Sequence, residues 1–396
     1  MTAAMEATAE MAVAKVFQHE RCRRNEGKKM ISKGILCLIV GSGLPLLTFG
    51  RNTPRVASVP NDPLELAAGQ IQAASTPEGR IAVLQLLDRA RNNYALRSGG
   101  QGYDLKINFA VDSLGQTDYD GVWEMEDLFV PGQGLHWTAK TASGYTVTGI
   151  ASNGELYGEG AANAIPLRLQ EARGILLHPL PSASYVSRES IRTSAATFRG
   201  ALVTCILLSS SRNAATPALG RGWEESEECI DTQSGRLLLH SEVPGRYAVY
   251  DYSSAPQLRG HTLPRTVSIT EAGRVVSRIS VVKLEEISAA DPSLFVPTAD
   301  MKARGPAIEM TAATKISRIH GPRPFTSAMT VRPVCVFGMV TATGQLLEAH
   351  SLQPSDPNSQ AAVEDAKRID FSPGTPAGAR PRQHFVFVVE KFVSRP

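Results

Sequence analysis

Near residue 100 the spacing of apolar residues changes from helical to alternating, and that change decides the fold class. Before it, Ile81, Leu84, Leu87, Ala90 and Tyr94 recur at helical spacing behind a capping Thr76, with Pro77 at the first helical position and Glu78 in the first turn. This is one amphipathic helix that must lie on an apolar surface. After it, Leu105, Ile107, Phe109 and Val111 alternate with polar or small residues, as do Trp123 and Met125, Leu135 and Trp137, and Tyr145 and Val147. Alternation of this kind marks half-buried antiparallel strands. A short helix around Pro166 to Leu177 interrupts the series. Further strand-like segments follow at 184–192, 200–208, 223–231, 236–242, 246–252, 263–270 and 274–286, with Ser234-Gly235 and Ala272-Gly273 as hairpin turns. Roughly ten or eleven strands in meander order behind one long helix imply a mainly β, strongly curved antiparallel half-barrel wrapped on that helix, over 77–305. Residues 300–330 lack period and carry Gly305-Pro306, Gly321-Pro322 and Pro324, and 306–330 read as a linker. The remaining residues, 331–396, run strand, strand, helix, strand, a small α+β module.

At 396 residues there is room for two or three domains. The net charge of +3 sits entirely in residues 1–33, a basic leader. The neutral remainder offers no excess with which to displace counterions from phosphates, so a nucleic-acid partner is not expected. Residues 34–50 carry no charge and are broken by Gly41, Gly43 and Pro45. They read as a signal or membrane-anchor segment, with a linker over 51–76 and small residues Val56, Ala57 and Ser58 offering a cleavage site. A core helix is the alternative, and Pro54, Pro60 and Pro63 argue against it. Met30 would serve equally as a start. On this reading the body lies in the cell envelope, exported to the periplasm or anchored to the inner membrane. There Cys205 and Cys229, in neighbouring strand-like segments, either form a cross-strand disulfide or act as two small buried hydrophobes. Cys335 remains a buried thiol.

No nucleophile-elbow, Walker, dinucleotide or zinc-protease motif is present, and the eight histidines show no i, i+4 pair. Gly132-Gln-Gly134 and Gly158-Glu-Gly160 read as turns. Glu224, Glu225, Glu227 and Glu228 form either a cation site or, as alternation suggests, a solvated strand edge. No catalytic residue, cofactor or metal is expected, and the chain reads as non-enzymatic.

The stretch 331–392 resembles the C-terminal domain of TonB-family energy transducers: a turn at Thr343-Gly344, Ala361-Ala362 and Ala366 on the helix, Phe371 and Pro373 in a Phe-x-Pro element, and Gly378 before the last strand. The resemblance implies an envelope protein partner, an outer-membrane receptor or an inner-membrane complex, captured by strand addition through 383–392, with Phe385, Phe387 and Val389 as contact residues. The central region is similar in layout to the periplasmic outer-membrane lipoprotein carriers. That resemblance implies a concave apolar face on which an acyl lipid lies, with Leu105, Ile107, Phe109, Trp123, Trp137 and Tyr145 as candidates. The same six would equally form an ordinary core against the helix.

Overall fold

The computed structural model describes residues 62–66, 68–98, 100–114, 119–159, 165–210, 220–321, 330–371 and 383–394. The expected leader, the segment 34–50 and residues 51–61 and 67 of the expected linker lie outside them, as do Pro373 and Gly378. No described helix is long and apolar enough to cross a membrane.

Helix α1, Pro77–Asn92, begins as expected, the Thr76 hydroxyl accepting from the Gly79 amide at 3.1 Å. It buries Val83, Leu87 and Ala90, with Tyr94 beyond its end, and leaves Ile81 53% exposed. Leu87, Ala90 and Tyr94 are thus inward as expected, and towards the start of the helix Val83 takes the inward place expected of Ile81. A two-residue strand β1, Gln72–Ala73, precedes it. A first antiparallel run follows: β2, Gly102–Val111; β3, Gly121–Val130; β4, Gly134–Thr141; β5, Thr146–Ser152; and β6, Glu155–Glu159. Helices α2, Leu167–Leu177, and α3, Ala183–Val186, come next. The Ser182 hydroxyl caps α3 by accepting from the Tyr185 amide, so the strand expected over 184–192 starts only at Ser190. The second run is β7, Ser190–Phe198; β8, Ala201–Ser209; β9, Ser226–Asp231; β10, Leu237–Val243; β11, Arg246–Asp251; a small hairpin of β12, Gln257–Leu258, and β13, His261–Thr262; β14, Thr266–Glu271; and β15, Arg274–Ile287.

Apart from that hairpin, these strands form one 13-stranded sheet ordered β1-β7-β8-β9-β10-β11-β14-β15-β2-β3-β4-β5-β6. It is not a single meander. The last strand, β15, pairs with the first long one, β2, placing Ile279 beside Phe109 and Ile287 beside Gly102. Two meanders are thus joined at a central seam, because β2 is too apolar to stand at an edge; the edges are instead the short β1 and β6. Hairpin turns with two successive left-handed residues, Asn153-Gly154, Arg199-Gly200 and Ala272-Gly273, match the twist of the strands they join. Side chains from both meanders meet α1 and α2 in one core, from Ile191 and Ile206 through Ile279 to Trp137 and Val147, so the sheet curves round the two helices.

Cys205 and Cys229 stand directly opposite on β8 and β9, on the convex face, and form a disulfide 24 residues apart. Replacing both with Ala should lower stability by about 3 kcal/mol, read as a lower urea midpoint at constant slope. An unchanged midpoint would show that the bridge adds nothing to the strand pairing.

After α4, Ala299–Arg304, the stretch expected as a linker contributes β16, Thr314–His320. Period alone did not mark it because its partner lies at the far end of the chain: it pairs in parallel with β19, His384–Ser394. With β17, Thr330–Val340, and β18, Leu346–Ser351, it forms a four-stranded sheet ordered β16-β19-β17-β18, and α5, Ser359–Lys367, covers one face. Under α5 lie Val334, Val336, Val386 and Val388. The opposite face, with Phe337, Met339, Phe385, Phe387 and Val389, packs on Leu167, Trp223 and Val243 of the half-barrel region. The strand expected to capture a partner is therefore interior. β19 is hydrogen-bonded on both edges, and Phe385, Phe387 and Val389 are buried at 6%, 0% and 0% exposure. Strand addition at 383–392 has no free edge to use.

Candidate functional site

Of the six concave-face candidates, Leu105, Ile107, Phe109, Trp123 and Trp137 are at most 1% exposed. They share a core with Val83, Leu87 and Ala90 of α1 and with Leu169, Ala172 and Leu176 of α2, so the two helices occupy the space above them. Trp137 is seated by its neighbour on β5: a Cβ at Gly149 would stand 2.3 Å from the indole ring. Arg173 of α2 lies over that ring, its Cζ 4.7 Å from the ring centre.

Tyr145 differs: it is half-buried at the end of the half-barrel where β3 begins and β4 ends. Its ring meets Trp123 edge-on at 5.8 Å and lies 6.3 Å from Tyr119, while the Trp123 indole N–H donates to the Tyr119 carbonyl at 3.0 Å. Together with Asp120, Gly121, Val122, Thr141, Ala142 and Ser143 these tyrosines line a groove of about 510 Å³. Val122, 61% exposed, gives it an apolar lip. The groove thus offers aromatic and aliphatic surface beside the core, with hydroxyls at its margin. Val122 and Tyr119 were missed because one is the outward member of an alternating pair and the other sits in a turn.

Two charged constellations were also missed. Where the four-stranded sheet meets the half-barrel, Arg168 of α2 donates to both Glu271 oxygens at 2.8 and 3.2 Å, to Glu171 at 3.3 Å and to Glu348 at 2.7 Å. Arg246 donates to Glu271 at 2.8 Å and to Glu171. Both guanidinium groups lie over the Phe337 and Phe385 rings at 4.9 to 5.8 Å. Glu348 is aimed inward by a β-bulge and carries a positive φ of 51°. Burial alone would raise the Glu271 pKa, but Arg168 and Arg246 hold it well below 4.5; for Glu348 burial wins and its pKa is raised. Glu271, Glu348 and His350 gather close enough to hold a metal ion, yet two guanidinium groups already neutralise the carboxylates. The readable signal was a charge at inward positions of the 166–177 helix, Arg168 and Glu171 among Leu167, Leu169 and Ala172. The second constellation surrounds Asp127, which occupies an inward position two residues beyond Met125. It accepts from the Tyr103 hydroxyl at 2.9 Å and from Arg173 at 2.6 and 3.1 Å.

The acidic group at 224–228 is neither a cation site nor a solvated edge. β9 lies inside the sheet, and Glu225, Glu227 and Glu228 are buried, each with its own partner: Arg192 at 2.5 Å, Arg221 at 2.8 Å and His240 at 2.9 Å. Glu224 pairs with Lys391 at 2.8 Å. Burial, outweighing Arg221, pushes Glu227 up to about 7. Cys335 is buried and its thiol is raised to about 12 by burial.

No family model matches this chain, and no curated protein matches it. Among solved structures it is similar to a LolA superfamily protein from Nitrosomonas europaea, at 11% identity and a TM-score of 0.33 over 54% of this chain and 97% of that one. It is similar to a DUF1329 family protein from Desulfovibrio piger, at 8% identity and a TM-score of 0.34 over 54% and 97%. A third similarity is to MucB, at 11% identity and a TM-score of 0.27 over 55% and 64%.

Proposed function

We propose that this chain is a non-enzymatic cell-envelope protein that binds an acyl-chain ligand, in the manner of a periplasmic lipid or lipoprotein carrier. The observation that carries the reading is the Tyr119–Tyr145 groove at the end of a half-barrel whose inner face beside it, with Phe109, Trp123 and Val147, is apolar. Its volume of about 510 Å³ falls within the roughly 300–1,000 Å³ of ligand pockets, and its lining pairs an apolar floor with a few polar groups at the margin. The chain's end enters at Val122 and Tyr145; penetrating further requires α1 or α2 to shift from the core. The disulfide supports an oxidising compartment. The TonB-family reading of 331–392 has the order of β17, β18, α5 and β19 behind it, and receptor coupling through β19 is not carried forward.

The full chain, purified from an exporting host and extracted with solvent, should yield bound acyl lipid by mass spectrometry. Added palmitate should quench tryptophan fluorescence through Trp123, and Val122→Asp should weaken that binding by about tenfold with the melting temperature unchanged. Protein free of lipid and insensitive to palmitate would overturn the reading.

A further inference from the structure

We propose that Arg97 and Arg173 form a binding site for a phosphate-type oxyanion at the end of the half-barrel opposite the aromatic groove. Beyond α1 the chain turns through the buried Tyr94 and Leu96, and this brings Arg97 against the start of β2 and the end of β3. There its Nε donates to the Tyr103 hydroxyl at 3.5 Å, and its Cζ lies 5.4 Å over the Phe129 ring. Its two terminal amino groups have no acceptor among the described residues. A half-buried guanidinium whose remaining donors lack protein acceptors is a fork awaiting one.

The nearby carboxylate is already engaged. Asp127 receives the Tyr103 hydroxyl and two donors of Arg173, so one negative charge faces two guanidinium groups. Arg173 is held in plane by Trp137, and Arg259 closes the rear by donating to the carbonyls of Leu96 at 3.0 Å and Gln101 at 3.2 Å. The site is left one positive charge in excess, and the two terminal amino groups of Arg97 form a planar fork suited to two oxygens of one tetrahedral group. A phosphodiester headgroup or free phosphate supplies that chemistry. The site does not depend on the acyl-chain reading, because the register puts Tyr103 beside Phe129 at one end of β2 and β3 and Phe109 beside Trp123 towards the other.

Calorimetric titration of the full chain with inorganic phosphate, and separately with monomeric dihexanoyl phosphatidic acid and neutral dihexanoylglycerol, tests this. The phosphate-bearing probes should bind, and Arg97→Gln should weaken them by about tenfold at an unchanged melting temperature, while Arg97→Lys, which keeps the charge but loses the fork, recovers only part of the affinity. Binding of phosphatidic acid without inorganic phosphate supports the site and names a lipid headgroup as occupant; comparable binding of both supports a free anion. No binding of either up to about 10 mM, or equal binding by Arg97→Gln, would overturn the proposal. Palmitate quenching at Trp123 reports the other reading separately.

Discussion

Arg168→Ala should destabilise the protein by about 3–5 kcal/mol, the range for breaking a buried ion pair on one side. Arg168 is 3% exposed and joins three elements at once: Glu171 on its own helix, Glu271 on β14 and Glu348 on β18. Its loss leaves Glu348 buried with a single weak neighbour, His350, and Glu271 with Arg246 and His350. It also removes a flat cation from the Phe337 and Phe385 rings. Because desolvating charge is costly in itself, Arg168→Met combined with Glu348→Gln should recover much of the loss. Urea unfolding at pH 7 measures both variants; a loss below about 1 kcal/mol for Arg168→Ala would mean the junction is solvated and adds little. The pH dependence has a definite sign. The folded-state pKa of Glu271 lies well below the ordinary 4.5, so its stabilisation is complete above that value and disappears as pH falls towards the folded pKa. Glu348, raised, works in the opposite sense: its neutral form is favoured in the fold, a contribution present below 4.5 and lost as pH rises. Removing Arg168 weakens the first effect and enlarges the second, so the variant should lose less stability in acid than the parent.

Phe387→Lys should be at least as damaging, by about 4 kcal/mol or more. The side chain is wholly buried between β16 and β17 and faces the half-barrel beside Phe337, their ring centres 5.6 Å apart. A Lys there removes a ring from the contact between the two sheets and puts an ammonium where Cys335, Val389 and Trp223 offer no acceptor. A melting temperature within a few degrees of the parent would show that the interface tolerates solvent. Phe387→Leu, which keeps the apolar volume closer, should fall well short of that loss.

These two residues also show what could be read in the sequence. Alternation placed most strands of the half-barrel and the inward residues Leu105, Ile107, Phe109, Trp123 and Trp137, because period follows from the pleat alone. The first helix was found by its cap, though Ile81 and Val83 exchanged faces; a stripe of this width fits two rotations, and contact with the sheet chooses between them. β16 was missed because parallel pairing with β19 is a long-range event without a local turn. For the same reason the apolar doubling of 385–389, which suited a captured partner, was satisfied within the chain itself. The charge junction was hidden because Arg168, Arg246, Glu271 and Glu348 are individually ordinary surface residue types, and no spacing foretells that they meet.

The seam between β2 and β15 bears on how the molecule comes into being. Residues from the opposite ends of the half-barrel must find each other there, and until 274–287 has been synthesised the greasy edge of β2 has no mate. While the chain is being made this nascent edge is the stretch most open to clumping with other chains, and a holding chaperone would be expected to seize it first.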